Sequence, residues 1–230
     1  MEHLKTGLAI GMVFLFTTSF GQVTGLEPEN TGVNGKTTHT YLDLMVQGVS
    51  TNIHYGASNS AVADFKKSAN GIQAGASFQA GITHGFSLVS ELYYIRKGGK
   101  LKDDNPLTGG ASTLRINTLE LPVLARFHFG KCYLNAGPSL AYNLSGSRKT
   151  EDQSVKLSFS NSNEGFKRLD AGIQMGGGFE FPLREKRIAL DIRYVYGLTN
   201  ISRSEEIYNR ALIISVHFSK AWKKNPLGRG

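Results

Sequence analysis

Two side chains near the C-terminal end of the chain are of the types that hydrolysis needs. Ser215 and His217 lie two residues apart, and a serine hydroxyl beside an imidazole is the nucleophile and base of many hydrolases. Glu180 or Glu120 are candidates to orient the imidazole, as the acid of a catalytic triad does. Residues two apart on a strand share a face, but this spacing does not bring them into contact. We therefore expect a hydrogen-bonded network here, with a lipid-modifying hydrolase as the alternative.

The other reactive residues form no pattern typical of a metal, cofactor or phosphate site. Six histidines and one cysteine, Cys132, show none of the ligand spacings of zinc sites. The run Gly176–Gly178 lacks the lysine and the serine or threonine of a phosphate-binding loop; we interpret it as room for close packing or for a bend. The sequence thus predicts no catalytic residue, no cofactor and no metal.

The first residues predict secretion. Leu8–Phe16 is an apolar run of nine residues, and Ser19 and Gly21 are the small residues that a signal peptidase requires. This predicts a signal peptide over residues 1–21 with cleavage after Gly21. A membrane-spanning helix needs about 20 apolar residues, and no later stretch of the chain reaches that length.

Apolar and polar residues alternate strictly through eight long segments, which is the period of a strand with one buried face. In segment 188–198, every bulky side chain except Val195 falls on one face, while Asp191 and Arg193 fall on the other. The other alternating segments are 40–48, 72–82, 88–94, 119–129, 132–144, 169–181 and 212–218.

The connections between these segments alternate between short and long. Tight links lie at 84–85, 130–131 and 182–187, and long polar segments lie at 49–69, 97–111, 145–166 and 199–206. Short turns at one end and long loops at the other are the layout of an outer-membrane barrel, in which the turns are periplasmic. The sequence therefore predicts an all-β fold, an eight-stranded antiparallel up-and-down transmembrane β-barrel.

Two orientations of the alternating faces are possible. A soluble lipocalin-like barrel turns its apolar faces inward around a ligand, whereas a membrane barrel turns them outward to lipid. The polar faces are rich in small residues, which suit the crowded, filled lumen of an eight-stranded barrel. Many of the apolar faces end in aromatic residues that resemble the girdles of a membrane barrel: Tyr94, Phe127, Phe129, Phe179, Phe181, Tyr194, Tyr196, Phe218 and Trp222. We therefore favour the membrane orientation.

In this orientation ten ionisable side chains point into the lumen. They are Asp43, Glu91, Glu120, Arg126, His128, Asp170, Glu180, Asp191, Arg193 and His217. Because burying an isolated charge costs several kcal/mol per ion, we expect these groups to form a structural network of ion pairs and hydrogen bonds. Such a network opposes the further alternative of a small pore.

Four runs of sequence resemble the PorT-like outer-membrane β-barrel proteins of Bacteroidota. The runs are SELYYIRKGGKLK (90–102), LELPVLARFHF (119–129), YLNAGPSLAYNLSG (133–146) and DIRYVYGLTNIS (191–202), and the resemblance extends from about Thr40 to Phe218. It implies an outer-membrane barrel with a porin-like fold. It also implies components of type IX secretion as partners, because members of the family take part in that process.

The sequence thus predicts four regions: the signal peptide 1–21, a lead-in 22–39, the barrel 40–222 and a basic tail 223–230. We expect a non-enzymatic protein of the bacterial outer membrane with a structural or interaction role, whose loops contact partners. The formal net charge of +8 could suit nucleic acid, but the secretion signal argues against that partner. The expected partners are outer-membrane lipid, lipopolysaccharide and the barrel-insertion machinery.

Overall fold

We describe the protein from a computed structural model, in which residues 41–150, 153–160, 165–183 and 186–221 are described. The predicted signal peptide (1–21), the lead-in (22–39), Trp222 and the basic tail (223–230) lie outside the described residues.

Eight long strands form the wall of the fold. They are β1 (Tyr41–Tyr55), β3 (Ala69–Thr83), β4 (Phe86–Leu101), β5 (Ser112–Phe129), β6 (Cys132–Thr150), β8 (Leu169–Leu183), β9 (Lys186–Gly197) and β10 (Ile207–Ala221). Two short strands, β2 (Lys66–Lys67) and β7 (Gln153–Lys156), extend the sheet at its margin, and a 3-10 helical segment spans Ala57–Phe65. Among the described residues, no helix has the length and apolar character needed to span a membrane.

The eight strands close into a barrel. Each pairs antiparallel with its neighbours in the order β1-β3-β4-β5-β6-β8-β9-β10, and β1 also pairs with β10. The closed antiparallel barrel predicted from alternation is confirmed. A path that starts at Phe179 on β8 and moves from each residue to its partner on the next strand comes back to β8 at Leu169. The strands are therefore staggered by ten residues around the barrel. A stagger of this size in an eight-stranded barrel corresponds to a strand tilt of about 40°.

Short and long connections lie at opposite ends of the barrel, as predicted. The turns His84–Gly85 and Gly130–Lys131 and the link between Leu183 and Lys186 lie at one end, which we call the turn end. The connections 56–68, 102–111, 151–168 and 198–206 lie at the other end, the loop end. In membrane barrels the short turns are periplasmic and the long loops extracellular.

The apolar faces point outward, which confirms the membrane orientation. Leu44 and Ile72 expose 73% and 82% of their surface, which a soluble protein of this size would not tolerate along a whole sheet. Phenylalanines ring the wall toward the turn end (Phe127, Phe129, Phe179 and Phe181), and tyrosines ring it toward the loop end (Tyr94, Tyr142, Tyr194 and Tyr196). These two rings are the aromatic girdles of a membrane barrel.

The strands are longer than the sequence analysis predicted. Segments 49–55, 97–101 and 145–150 were assigned to loops, but they continue β1, β4 and β6. The reason is an inversion of polarity above the tyrosine girdle. In β1, Val49, Ile53 and Tyr55 are buried inside, while the outward residues of the same segment are polar. The wall here leaves the lipid, so its outer face meets water and its inner face holds an apolar core.

Candidate functional site

Ionisable side chains fill much of the lumen, together with a buried apolar cluster that includes Met45, Tyr93 and Ile213. All ten residues predicted to face it do so, and eight of them expose 3% or less of their surface: Asp43, Glu91, Glu120, Arg126, Asp170, Asp191, Arg193 and His217. Glu180 and His128 are half-buried at the turn end. Strand alternation positions all of them, because every second residue of the wall points inward.

Arg187 organises the turn end of the lumen. Its guanidinium lies 2.6 Å from Asp43 Oδ2 and 2.7 Å from Glu180 Oε1, and it also donates to Gln79 Oε1 at 3.0 Å. Arg187 was predicted to lie in a turn, so its place in the lumen was not predicted. The alternation of β9 could have predicted its place, because Arg187 lies on the same face of this strand as Asp191 and Arg193.

Arg193 organises the centre of the lumen. Its Nη1 lies 2.7 Å from Glu91 Oε2, and its Nε lies 2.6 Å from Asp191 Oδ1. Arg126 lies below it, 3.7 Å from Asp191 and 3.7 Å from Glu180, with its guanidinium 4.0 Å from the centre of the Tyr133 ring. The contact between Arg193 and Glu91 is a hydrogen bond between charged groups, a type about twice as strong as a neutral one, and it joins β9 to β4 across the centre of the barrel.

Lys97 organises the loop end of the network. Its Nζ lies 2.8 Å from Glu120 Oε2 and 3.6 Å from Asp170 Oδ2. Asp170 also accepts hydrogen bonds from Thr199 Oγ1 at 2.7 Å and from Asn209 Nδ2 at 2.8 Å. Lys97 was predicted to lie in a loop, which is wrong because β4 continues to Leu101. Lys97 lies an even number of residues from Glu91 on β4, so the alternation of the strand would have placed both side chains on the same face.

The network contains more acidic than basic groups. Six carboxylates face four permanent cations, Lys97, Arg126, Arg187 and Arg193, so its charge is −2 when both histidines are neutral. Each of the four cations lies within ion-pair distance of two carboxylates. The lumen therefore cancels most of its own charge by direct pairing.

Glycines on β3 and β8 make room for the large lumen side chains. A Cβ at Gly176 would lie 2.0 Å from the carbonyl oxygen of Ile192 and 2.7 Å from Cγ of Arg193. A Cβ at Gly178 would lie 2.5 Å from the hydroxyl of Tyr133, and one at Gly75 would lie 2.5 Å from Cβ of Tyr93. Close packing, one of the two interpretations of the glycine run, is what the structure shows.

Ser215 and His217 do not form a nucleophile–base pair with one another in this structure. Ser215 Oγ accepts a long hydrogen bond of 3.5 Å from Arg193, and His217 Nδ1 lies 3.6 Å from Asp43 Oδ2. Among the described residues, no hydrogen bond joins the two side chains to each other. Glu120 and Glu180, the candidates to orient the imidazole, pair with Lys97 and Arg187 instead.

The described residues also place no group of three or more histidine, cysteine, aspartate or glutamate side chains where they could hold a metal ion.

An apolar cluster closes the loop end, and we call it the cap. It consists of buried residues from strands and loops: Ile53, Tyr55, Val62, Leu101, Leu114, Ile116, Phe166, Ile201 and Ile207. Burial in this cluster raises the pKa of Tyr55 to about 12. At the loop end, Arg148 also makes a bidentate ion pair with Glu205: Nη1 donates to Oε1 at 3.0 Å and Nη2 donates to Oε2 at 2.9 Å. The sequence analysis missed the cap because its loop residues follow no period.

Comparison with solved structures finds bacterial outer-membrane proteins at low sequence identity and with TM-scores below 0.5. OprG from Pseudomonas aeruginosa is 11% identical, with a TM-score of 0.45 over 84% of this chain and 100% of its own. Ail, the attachment invasion locus protein of Yersinia pestis, is 9% identical, with a TM-score of 0.43 over 80% of this chain and 99% of its own. No curated protein matches the chain in sequence.

Residues 47–203 match the family model described as the outer membrane protein β-barrel domain. This match covers more than half of the chain and includes the wall from within β1 to the end of β9. It agrees with the outward apolar belt, the two aromatic girdles and the filled lumen. The chain therefore belongs to the family of outer-membrane proteins with this β-barrel domain, and its place is the bacterial outer membrane.

Proposed function

We propose that this protein is a closed, non-enzymatic outer-membrane barrel whose loop end contacts partner molecules outside the cell. The observation that carries the proposal is the double obstruction of the lumen. The ion-pair network fills the part of the barrel within the membrane, and the apolar cap closes its mouth.

The two obstructions oppose ion flow for different physical reasons. Within the network, a passing ion would have to displace partners at 2.6 to 2.8 Å that are almost fully buried. In the cap, it would have to leave water altogether, and hydrophobic constrictions block conduction by dewetting. A small pore was the alternative left open by the sequence. It would require both the ion-pair network and the apolar cap to open.

Conductance in planar lipid bilayers tests the closed lumen. We expect purified, folded protein to give no current above that of the protein-free bilayer. A variant with the cap residues Ile116 and Ile207 both changed to serine keeps the network and should also stay closed. Discrete current steps from the unaltered protein, scaling with the amount inserted, would contradict the proposal.

The loop end is built as a firm platform for contacts. Above the tyrosine girdle, extended strands and the buried cap hold the connections from inside. In the loop 102–111, the side-chain oxygen of Asn105 accepts hydrogen bonds from the backbone of Leu107 and Thr108. Ordered loops lose less conformational entropy on binding than mobile ones, so preorganisation favours recognition.

Photo-crosslinking in living cells tests the contact role. A photoreactive residue is placed at Ser60 or Asp104, which are exposed in loops, and at His84 in a turn as the matched control. We expect discrete adducts from the loop positions that the control does not give. Loop positions that yield no adduct, or the same adducts as His84, would contradict the role.

The resemblance to PorT-like proteins of Bacteroidota supports type IX secretion as the process served. The barrel-insertion machinery is the partner expected during biogenesis. If the protein serves this secretion route, deleting its gene should retain type IX cargo inside the cell. Normal cargo release from the deletion strain would remove this part of the proposal and leave the barrel itself unaffected.

A further inference from the structure

On the eight long strands, the described charged side chains of the outer face are all of one sign, whereas the lumen holds both signs. All six of the strands' carboxylates, from Asp43 to Asp191, point into the lumen. The described charged side chains that point outward are all basic: Arg96, Lys100, Arg115, Lys149, Lys186 and Arg210. A surface that is only solvated needs no such separation, so the outer wall is matched to an anionic surrounding.

Two of the outward arginines stand at the level of lipid head groups. Arg96 lies two residues beyond the girdle residue Tyr94 on β4, and Arg115 lies four residues beyond Leu119, the partner of Tyr94 on β5. With a rise of about 3.3 Å per residue and a tilt of about 40°, they stand about 5 and 10 Å above those partners. The head-group layer begins at the girdle and is about 5 to 8 Å thick. The backbone of Arg96 therefore lies within this layer, whereas that of Arg115 lies just beyond its outer edge, from where a long arginine side chain can reach back into it.

Hydrogen bonds fix this part of the wall. Asn117 Oδ1 accepts from the Tyr94 hydroxyl at 2.8 Å and from Arg96 Nε at 3.1 Å. Asn117 Nδ2 donates to Ser145 Oγ at 2.9 Å. The terminal nitrogens of Arg96 and the hydroxyl hydrogen of Ser145 remain able to donate outward. No described carboxylate lies within ion-pair distance of Arg96 or Arg115.

Two more arginines continue the pattern around the barrel. The guanidinium of Arg210 lies 3.6 Å from the centre of the Tyr196 ring, and that of Arg168 lies 5.9 Å from the centre of the Tyr142 ring. Both rings belong to the tyrosine girdle. We call Arg96, Arg115, Arg168 and Arg210 the arginine belt. Stacking on a ring holds an arginine against the wall. Nη1 of each of these two arginines also donates to backbone carbonyl oxygens, which leaves Nη2 of each for an anion.

We propose that the arginine belt binds the phosphate groups of lipid A in the outer leaflet, with the Arg96–Arg115 pair as its principal site. Guanidinium groups match phosphate oxygens with two parallel hydrogen bonds, and the girdle below them holds the acyl chains. A nucleic acid or an acidic protein would not reach this level of the wall within a membrane. The inference gives the lipopolysaccharide expected from the sequence a defined site on the wall, and it does not depend on a closed lumen.

Binding of purified protein to lipid A in zwitterionic detergent tests the site. The test variant is R96Q/R115Q, and the matched control is K131Q/K186Q, which removes the same charge from exposed positions at the turn end. Each is titrated with bisphosphorylated lipid A and with the same lipid after removal of both phosphates. We expect the test variant to bind the phosphorylated lipid at least about tenfold more weakly, because each basic group contributes to attraction. The control should match the unaltered protein.

Three outcomes would overturn the inference. They are equal affinity in the test and control variants, equal affinity for the dephosphorylated lipid, and displacement of bound lipid A by millimolar inorganic phosphate. R96K/R115K keeps the charge and should recover part of the affinity. If R96Q/R115Q does not fold, each single variant should weaken binding about threefold, and no loss in either would count against the site. Conductance stays at background in all variants, so failure here is separable from failure of the proposed function.

Discussion

At the residue scale, buried cations decide how the lumen is built. Arg193 exposes none of its surface and pairs with Glu91 and Asp191. Burial of a charge is costly unless it is paired and hydrogen-bonded, and removing one partner leaves the other uncompensated. We therefore expect the lumen to tolerate single changes of its ion-paired residues poorly.

Replacing Arg193 by glutamine is expected to destabilise the barrel by about 3 to 5 kcal/mol, because Glu91 and Asp191 would remain charged and buried. The measurement is the urea midpoint of unfolding in detergent. Lys186→Gln, at an exposed position, is the control and should change stability by less than about 0.5 kcal/mol. Equal midpoints for the two variants would show that the network carries no stability.

Ser215 and His217 are expected to have no catalytic part. Ser215 accepts a hydrogen bond from Arg193, and His217 lies beside Asp43, so the two side chains do not contact each other. The closed wall also separates both of them from lipid. Cells with S215A or H217A should carry the same lipid A as cells with the unaltered protein, as measured by mass spectrometry. If the lipid A of both variants differed in its acyl chains from that of cells with the unaltered protein, the hydrolase alternative would be supported.

At the element scale, the alternating faces of each strand predicted most of the wall. In 188–198, Asp191 and Arg193 were assigned inward from their parity alone, and β9 places them there. The strand ends could not be predicted in this way. Above the girdle the polarity of β1 inverts, so the segment that ends at Tyr55 has the composition of a loop. Lys97 and Arg187 were missed because both lie near a boundary between an alternating segment and a connection.

The glycines of β8 give a prediction at this scale. Gly176→Ala would place a Cβ 2.0 Å from a backbone oxygen of β9, and backbone cannot move aside as a side chain can. We expect a loss of about 1 to 3 kcal/mol of stability, as overpacking usually costs. Gly85→Ala is the matched control, because a Cβ at that turn would meet nothing within 4 Å. A Gly176→Ala variant as stable as the control would contradict the close packing.

At the scale of the whole molecule, the barrel has two regions of different chemistry. The turn end and the centre hold ion pairs inside an apolar belt, and the loop end holds the apolar cap inside a polar outer wall. The alternation of the sequence predicts the ion pairs inside the apolar belt, because strands with one face toward lipid alternate apolar and polar residues. It could not predict the cap, whose residues Val62, Phe166 and Ile201 come from connections and meet only through the closure of the barrel.

The most direct test of the central claim, a closed barrel embedded in the outer membrane, is an electrophoretic shift of the protein from separated membranes. Stable membrane barrels stay folded in mild detergent without heat and unfold on boiling, so the two samples migrate differently. We predict that the protein is found in the outer-membrane fraction and that its unheated and boiled forms migrate as two distinct bands. Recovery of native protein from the periplasm without detergent, with one band in both samples, would contradict the account.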